Sequence, residues 1–358
     1  MNILEQIYDN TLYKINFLER KVSIYTKNTI LKGPPKSGKT YLIYDYLSQY
    51  NNDDYLYIDC DDYKNKDKDK EISKYLENFI DENQIEVLVL ENFNFNFNLP
   101  KVTSTVITTS QNINLENFDT IYLPALDFEE FILFDTKHQN TANSFNSFLK
   151  FGNFPEIIDF SEQKKAKRNY EICQLYCEDK VELEILFLLI KSASEKKSIF
   201  QLFNTLKKTT KISKDRFYKT CEKYEQNHLI YFCQKFEQPK SVKKIFIFNH
   251  ALLDIVSYNK NFHNLFQNMV YLEIYKKHKE IYYLDNIDFY IPEDNLIILT
   301  IPFFNNFEVI NISIKLSPYI KKYGIKKIYI ITVSNEKNIN ISNIDAKVIK
   351  FYDWVLGG

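Results

Sequence analysis

The chain has 358 residues, 45% of them hydrophobic, and a net charge of −1. That length admits two or three domains, and that composition supports a real core. Near-neutrality excludes a global pull toward nucleic acid or an anionic membrane, so a charged partner must be met by a local patch.

Residues 1–27 read as a helix, with Ile3, Leu4, Ile7, Tyr8, Leu12, Ile15 and Leu18 as its apolar stripe. A short β-branched run, Asn28 to Lys32, reads as a strand. It leads into Gly33-Pro34-Pro35-Lys36-Ser37-Gly38-Lys39-Thr40, the pattern G-x-x-x-x-G-K-T of a phosphate-binding loop. From Tyr41 the chain continues with apolar residues at helical spacing. Strand, glycine loop and helix are the context this motif requires. Backbone N–H groups of the loop and the helix N-terminus are suited to phosphate oxygens. Gly38 lets the backbone approach closely; Lys39 is expected at the β- and γ-phosphates and Thr40 at Mg²⁺. Only 6 glycines occur in the whole chain, which makes two of them at this spacing hard to ascribe to chance.

A second strand is expected at Tyr55–Asp59, then a solvated acid-and-lysine loop from Asp61 to Lys70, then a helix from Glu71 to Asn83. Val87-Leu88-Val89-Leu90 is apolar throughout, as in a strand buried on both faces of a parallel sheet. It ends in Glu91-Asn92. The alternating segment Phe93–Asn98 fits either a strand or a loop. Further strands are expected at 103–109 and 120–123. Residues 1–125 therefore read as a P-loop α/β domain. The acid-bearing strand comes one βα unit after the second strand, and a polar-ended strand follows it. That order is expected where a strand is inserted beside the loop strand, as in AAA+-type ATPases. In simple nucleotide kinases the acid lies nearer the loop, which leaves Asp59 as a competing candidate.

Four later segments carry a more specific likeness. Leu123-Pro124-Ala125-Leu126-Asp127-Phe128-Glu129-Glu130-Phe131-Ile132 looks like "PLSFxEFL", and Gly152-Asn153-Phe154-Pro155-Glu156 looks like "GGFPE". The run Phe266 to Ile274 looks like "ENxVxxEL", and Asn286-Ile287-Asp288-Phe289 looks like "EVDF". In this order, over nearly the whole chain, they resemble a group of prokaryotic AAA+-type ATPases. The resemblance implies an ATPase domain, a winged helix and a C-terminal domain of restriction-endonuclease-like fold. The expected division is a P-loop core at 1–125, a helical lid at 126–190, a winged helix at 191–257 and a nuclease-like domain at 258–358.

The residues themselves agree with that division. Ser198–Lys207 is amphipathic, Ser213 can cap a helix running to about Asn227, and 229–233 and 244–248 read as the strands of a wing. Residues 191–223 carry ten Lys or Arg against three acids, a local net of +7. Such a module either binds DNA or serves in protein packing with solvated lysines. From residue 258 a helix at Phe262–Lys277, strands at 281–284, 288–291 and 296–301, a helix at 312–323 and a strand at 327–332 are expected.

Within the site, Glu91 takes the metal position and Asn92 the position of the catalytic base, where it can orient water but accept no proton. By the resemblance, Thr108 or Ser110 would sense the γ-phosphate. No arginine lies in 111–123, so a trans-acting finger would be Arg168, Arg216 or a lysine. In the C-terminal domain Asp288 remains, but Thr300-Ile301-Pro302 stands where Glu-x-Lys would be, so no nuclease activity is expected. The scattered cysteines Cys60, Cys173, Cys177, Cys221 and Cys233 make neither a disulfide framework nor a metal site. No leader and no apolar run of about 18 residues is present, so a cytoplasmic protein without a membrane partner is expected. The expected function is binding of ATP with Mg²⁺ and slow hydrolysis, with DNA, a protein client or a second copy as partner. A nucleotide-gated binding module and a small-molecule kinase are the alternatives.

Overall fold

The computed structural model describes residues 3–9, 12, 17–138, 140–258 and 260–357, which form two compact units meeting in sequence at Ala125 and Leu126. In the first, α1 (Ile3–Tyr8) precedes β1 (Asn28–Lys32), α2 (Lys39–Leu47), β2 (Tyr55–Asp59), α3 (Asp69–Asn83), β3 (Val87–Glu91), β4 (Ser104–Thr108) and β5 (Asp119–Tyr122). The five strands form one parallel sheet in the order β2-β3-β4-β1-β5. β4 thus lies between the strand that feeds the loop and the strand that carries Glu91. Every residue of β3 and β4 is buried, the consequence of helices on both faces.

The N-terminal helix is shorter than the apolar stripe predicts. Ile3 and Leu4 are buried against α3 and the sheet, but residues 17–27 are irregular and Leu18 is exposed. Ile15 lies outside the described residues. The irregular path has a use: it delivers Arg20 to the phosphate loop. Phe93, Phe95 and Phe97 form no strand. Their rings cluster, with Phe93 4.8 Å from Phe95 and 4.7 Å from Phe97.

The second unit begins with α4 (Phe128–Phe134), α5 (Thr141–Phe151), α6 (Glu162–Leu175), α7 (Lys180–Lys191), α8 (Ile199–Leu206) and α9 (Lys214–Gln226). The hairpin β6 (Ile230–Lys235) and β7 (Lys244–Ile247) follows, then α10 (Leu252–Val256) and α11 (Phe262–Lys277). The rest is β8 (Tyr282–Leu284), β9 (Ile287–Ile291), β10 (Leu296–Thr300), α12 (Glu308–Tyr323), β11 (Lys327–Thr332), β12 (Lys337–Ile341), β13 (Ile344–Lys350) and α13 (Phe351–Val355). One mixed sheet, β12-β13-β11-β10-β9-β8-β6-β7, runs through both the hairpin and the C-terminal strands. The five cysteines are free thiols.

The segments that carried the family likeness have structural work to do here. Asp127 and Glu130 form a reciprocal capping box on α4: the Glu130 N–H donates to Asp127 Oδ1 at 2.7 Å, and the Asp127 N–H to Glu130 Oε2 at 3.1 Å. Phe128 and Phe131 are buried behind it. Gly152 has φ 85°, and a Cβ there would sit 2.0 Å from Asn249 Oδ1, so glycine is required. The Asn268 amide pairs with Ile247 like a strand neighbour, donating to its carbonyl and accepting its N–H, both at 2.8 Å. Glu273 is fully buried and accepts the Phe128 N–H at 3.0 Å; burial pushes its carboxyl pKa up.

Candidate nucleotide site

The loop between β1 and α2 is built by two left-handed residues, Lys36 (φ 63°) and Gly38 (φ 99°). Gly33, at φ 151°, is pressed so close to the end of β5 that a Cβ would stand 2.1 Å from the Leu123 carbonyl oxygen. Only glycine fits there. Arg20 clamps the loop from outside. It is buried, and its guanidinium donates to the Ser37 carbonyl at 2.7 Å and the Pro124 carbonyl at 2.8 Å. Nothing in the motif announces Arg20, because it lies 13 residues before Gly33. Ser37 Oγ is buried without a hydrogen-bond partner among the described residues, an open polar position inside the cradle.

Lys39 folds over the loop and donates to the Gly33 and Pro34 carbonyls at 2.9 and 3.0 Å. Burial lowers its pKa to about 8; nearby Lys36 acts in the same direction and Glu91 opposes it. Pro34, Pro35 and Lys36 form the turn, with the Ser37 N–H donating to the Pro34 carbonyl at 3.2 Å. Tyr41 points to solvent on the first turn of α2.

Glu91 sits where the two strands deliver it. Both its oxygens are engaged: the Thr40 hydroxyl donates to Oε1 and the Tyr57 hydroxyl to Oε2, each at 2.5 Å. Burial raises the Glu91 pKa, and these two hydrogen bonds oppose the rise. The Tyr57 hydroxyl is pushed well above its ordinary pKa by burial and by the negative Glu91. Tyr57 was not legible as a site residue, since an aromatic residue within a strand reads as core.

Asn92 has a left-handed backbone, φ 56°. Its N–H donates to Thr108 Oγ1 at 2.8 Å, and its side-chain amide donates to Asp59 Oδ1 at 2.9 Å. Thr108 is buried with its oxygen occupied in this way, whereas Ser110 is exposed just past the strand end. The structure therefore brings together Lys39, Thr40, Glu91, Asn92 and Thr108, with Asp59 and Tyr57 added. The two other arginines are committed elsewhere: Arg168 to Glu156 at 2.5 Å and Glu171 at 3.1 Å, and Arg216 to Asp179.

The residues fit a nucleotide phosphate with a divalent cation. Open N–H groups at the α2 N-terminus, the close-approach glycine, the Lys39 ammonium and the unpartnered Ser37 hydroxyl suit phosphate oxygens. Thr40 and Glu91 offer oxygen ligands to a hard cation.

The chain is similar to known proteins in three ways. Residues 25–132 match an AAA domain family, the same span that holds the parallel sheet and the loop. The chain is 26% identical to an uncharacterized protein of Methanocaldococcus jannaschii over 402 aligned positions, covering 98% of this chain and 89% of that one. Among solved structures, a Walker-type ATPase of Pyrococcus abyssi aligns at 12% identity and a TM-score of 0.44, over 64% of this chain and 91% of that one.

Proposed function

We propose that the chain binds Mg·ATP on the loop from Gly33 to Thr40 and hydrolyses it slowly. The observation that carries this reading is the direct contact of Thr40 with Glu91, made across a sheet in which β4 separates the loop strand from the acid strand. A hydroxyl at the loop end and a carboxylate at the neighbouring strand end are the two protein groups a nucleotide-bound Mg²⁺ requires. Thr40 would hold the metal directly and Glu91 would order its shell; Lys39 and the loop N–H groups would hold the β- and γ-phosphates. The cation would neutralise charge on the phosphate oxygens as the terminal phosphoryl group is transferred. Slow turnover follows from Asn92, which cannot accept a proton at the position after Glu91.

The second unit would act as the responding part. The order α7, α8, α9, then the β6–β7 hairpin, with Lys196 bridging Lys244, matches the element order of a winged helix. Its exposed lysines make duplex DNA the partner to test first; a protein client or a second copy would use the same surface through packing. The C-terminal strands and α11 and α12 fit a nuclease-like fold that has lost cleavage, since Asp288 is tied up within the protein. Incubation with ATP labelled on the γ-phosphate separates the readings. Free phosphate supports hydrolysis, label on a small acceptor supports a kinase, and tight binding with neither supports a nucleotide-gated binding module.

A further inference from the structure

Glu91 has both oxygens occupied, and the Asn92 amide cannot accept a proton, so hydrolysis needs a carboxylate from elsewhere. One stands beside Asn92. Asp59 ends β2, in register with Glu91 at the end of β3. Its Oδ1 accepts the Asn92 side-chain amide at 2.9 Å and the Asp61 N–H at 3.0 Å. Both bonds fall on one oxygen, and Oδ2 carries no hydrogen bond among the described residues. The carboxylate also lies within electrostatic reach of the metal end of the site: after burial and its hydrogen bonds, Glu91 feels Asp59, and so do Tyr57 and Tyr44 on α2.

We propose that Asp59 supplies the proton-accepting carboxylate that position 92 lacks, and that Asn92 is the positioning residue that holds it. This rests on the reading of the site as an ATPase. The Asn92 amide fixes one Asp59 oxygen and leaves the other for water. In the step, the water oxygen attacks the γ-phosphorus. The bond between that phosphorus and the β,γ-bridging oxygen breaks, and its electron pair leaves with ADP. The water proton passes to Asp59 Oδ2. Asn92 keeps its own carbonyl oxygen free to accept a hydrogen bond from the same water. The base has moved one strand sideways, from the end of β3 to the end of β2.

The test combines calorimetric Mg·ATP binding, steady-state turnover and chromatography of the nucleotide recovered from the protein. Asp59→Asn keeps the amide contact and the shape but removes the base. It is expected to lower kcat by about 10²-fold or more, to leave ATP affinity within a few-fold of wild type, and to yield intact ATP where wild type yields ADP. The double variant Asp59→Asn with Asn92→Glu restores a carboxylate at the strand end and is expected to recover most of the lost turnover. Turnover by Asp59→Asn within about threefold of wild type overturns the assignment, while the ATPase reading stands. A double variant as slow as the single one also overturns it. Wild type that binds ATP without hydrolysing it removes the base and keeps the binding site; wild type that binds no ATP removes both.

Discussion

Asp288 is the most exacting place to perturb the second unit. At the level of sequence it is a lone strand-end carboxylate whose loss would cost little. In the structure it is the centre of a buried network. Lys244, from β7, donates to Gln267 Oε1 at 3.0 Å and approaches Asp288 Oδ1 at 3.5 Å. Gln267, from α11, donates to Asp288 Oδ1 at 2.5 Å and to Thr300 Oγ1 at 3.1 Å. Thr300, from β10, donates to Asp288 Oδ2 through its N–H at 2.7 Å and its hydroxyl at 2.8 Å. The Lys244 side chain is 8% exposed and that of Asp288 20%. Asp288→Ala would strand the Lys244 charge and leave the Thr300 N–H without an acceptor. Breaking a buried pair from one side costs about 3–5 kcal/mol. Because Asp288 keeps some solvent access, the lower end, about 3 kcal/mol, is expected. In a unit of this size that lowers Tm by roughly 6–12 °C. Adding Lys244→Met removes the stranded charge and should recover more than half of the loss. Thermal unfolding of wild type and the variants measures this. A Tm within about 2 °C of wild type for Asp288→Ala, or no recovery in the double variant, would refute the network account.

Arg20→Ala removes the guanidinium hydrogen bonds to the Ser37 and Pro124 carbonyls, each worth about 1.5–3 kcal/mol; the first unit should melt earlier and ATP should bind more weakly, as read by paired melting and calorimetric titrations. The free-state Lys39 pKa of about 8 sets a pH dependence. Phosphate raises it again, so above pH 8 binding takes up a proton and affinity falls as pH rises, whereas below pH 8 it is flat. Titrations at pH 9 in buffers of differing ionisation enthalpy detect that uptake. The same depressed pKa makes the unfolded chain bind the extra proton between about 8 and the ordinary lysine value, so the ligand-free fold gains stability as pH rises through that window. For DNA, Arg216 is already paired with Asp179 and Lys223 with Glu178 and Glu182. The exposed Lys208, Lys211 and Lys219 have no acidic partner among the described residues. Replacing each phosphate-contacting lysine by Gln should reduce the slope of log affinity against log salt by about 0.9; an unchanged slope assigns the patch to solvation.

The first unit was legible because each strand is a compact apolar or β-branched run and the loop is a local motif. β1, β2 and β11 begin and end where the periodicity puts them, and α11 spans Phe262–Lys277 as read from its spacing. Even the insertion of β4 beside β1 followed from the order of acidic and polar strand ends. The strands β12 and β13 escaped because Lys-Asn-Ile-Asn-Ile, on the sheet edge, and its neighbour both mix polar with apolar residues. Part of the site escaped for a different reason. Arg20 reaches the loop from a coil, while Tyr57 meets Glu91 and Asp59 meets Asn92 from a neighbouring strand, and no spacing rule links them. Lys244 and Gln267 likewise lie 44 and 21 residues from the Asp288 they surround.

The proposed binding of Mg·ATP on the loop from Gly33 to Thr40 is open to direct measurement. Calorimetric titration of the whole chain with ATP, with Mg²⁺ and with chelator, for wild type and Lys39→Ala, tests it most directly. Saturable one-site binding by wild type, weakened by chelator and weakened sharply by Lys39→Ala with an unchanged fold by circular dichroism, is the result expected. Equal affinity in wild type and Lys39→Ala would contradict it.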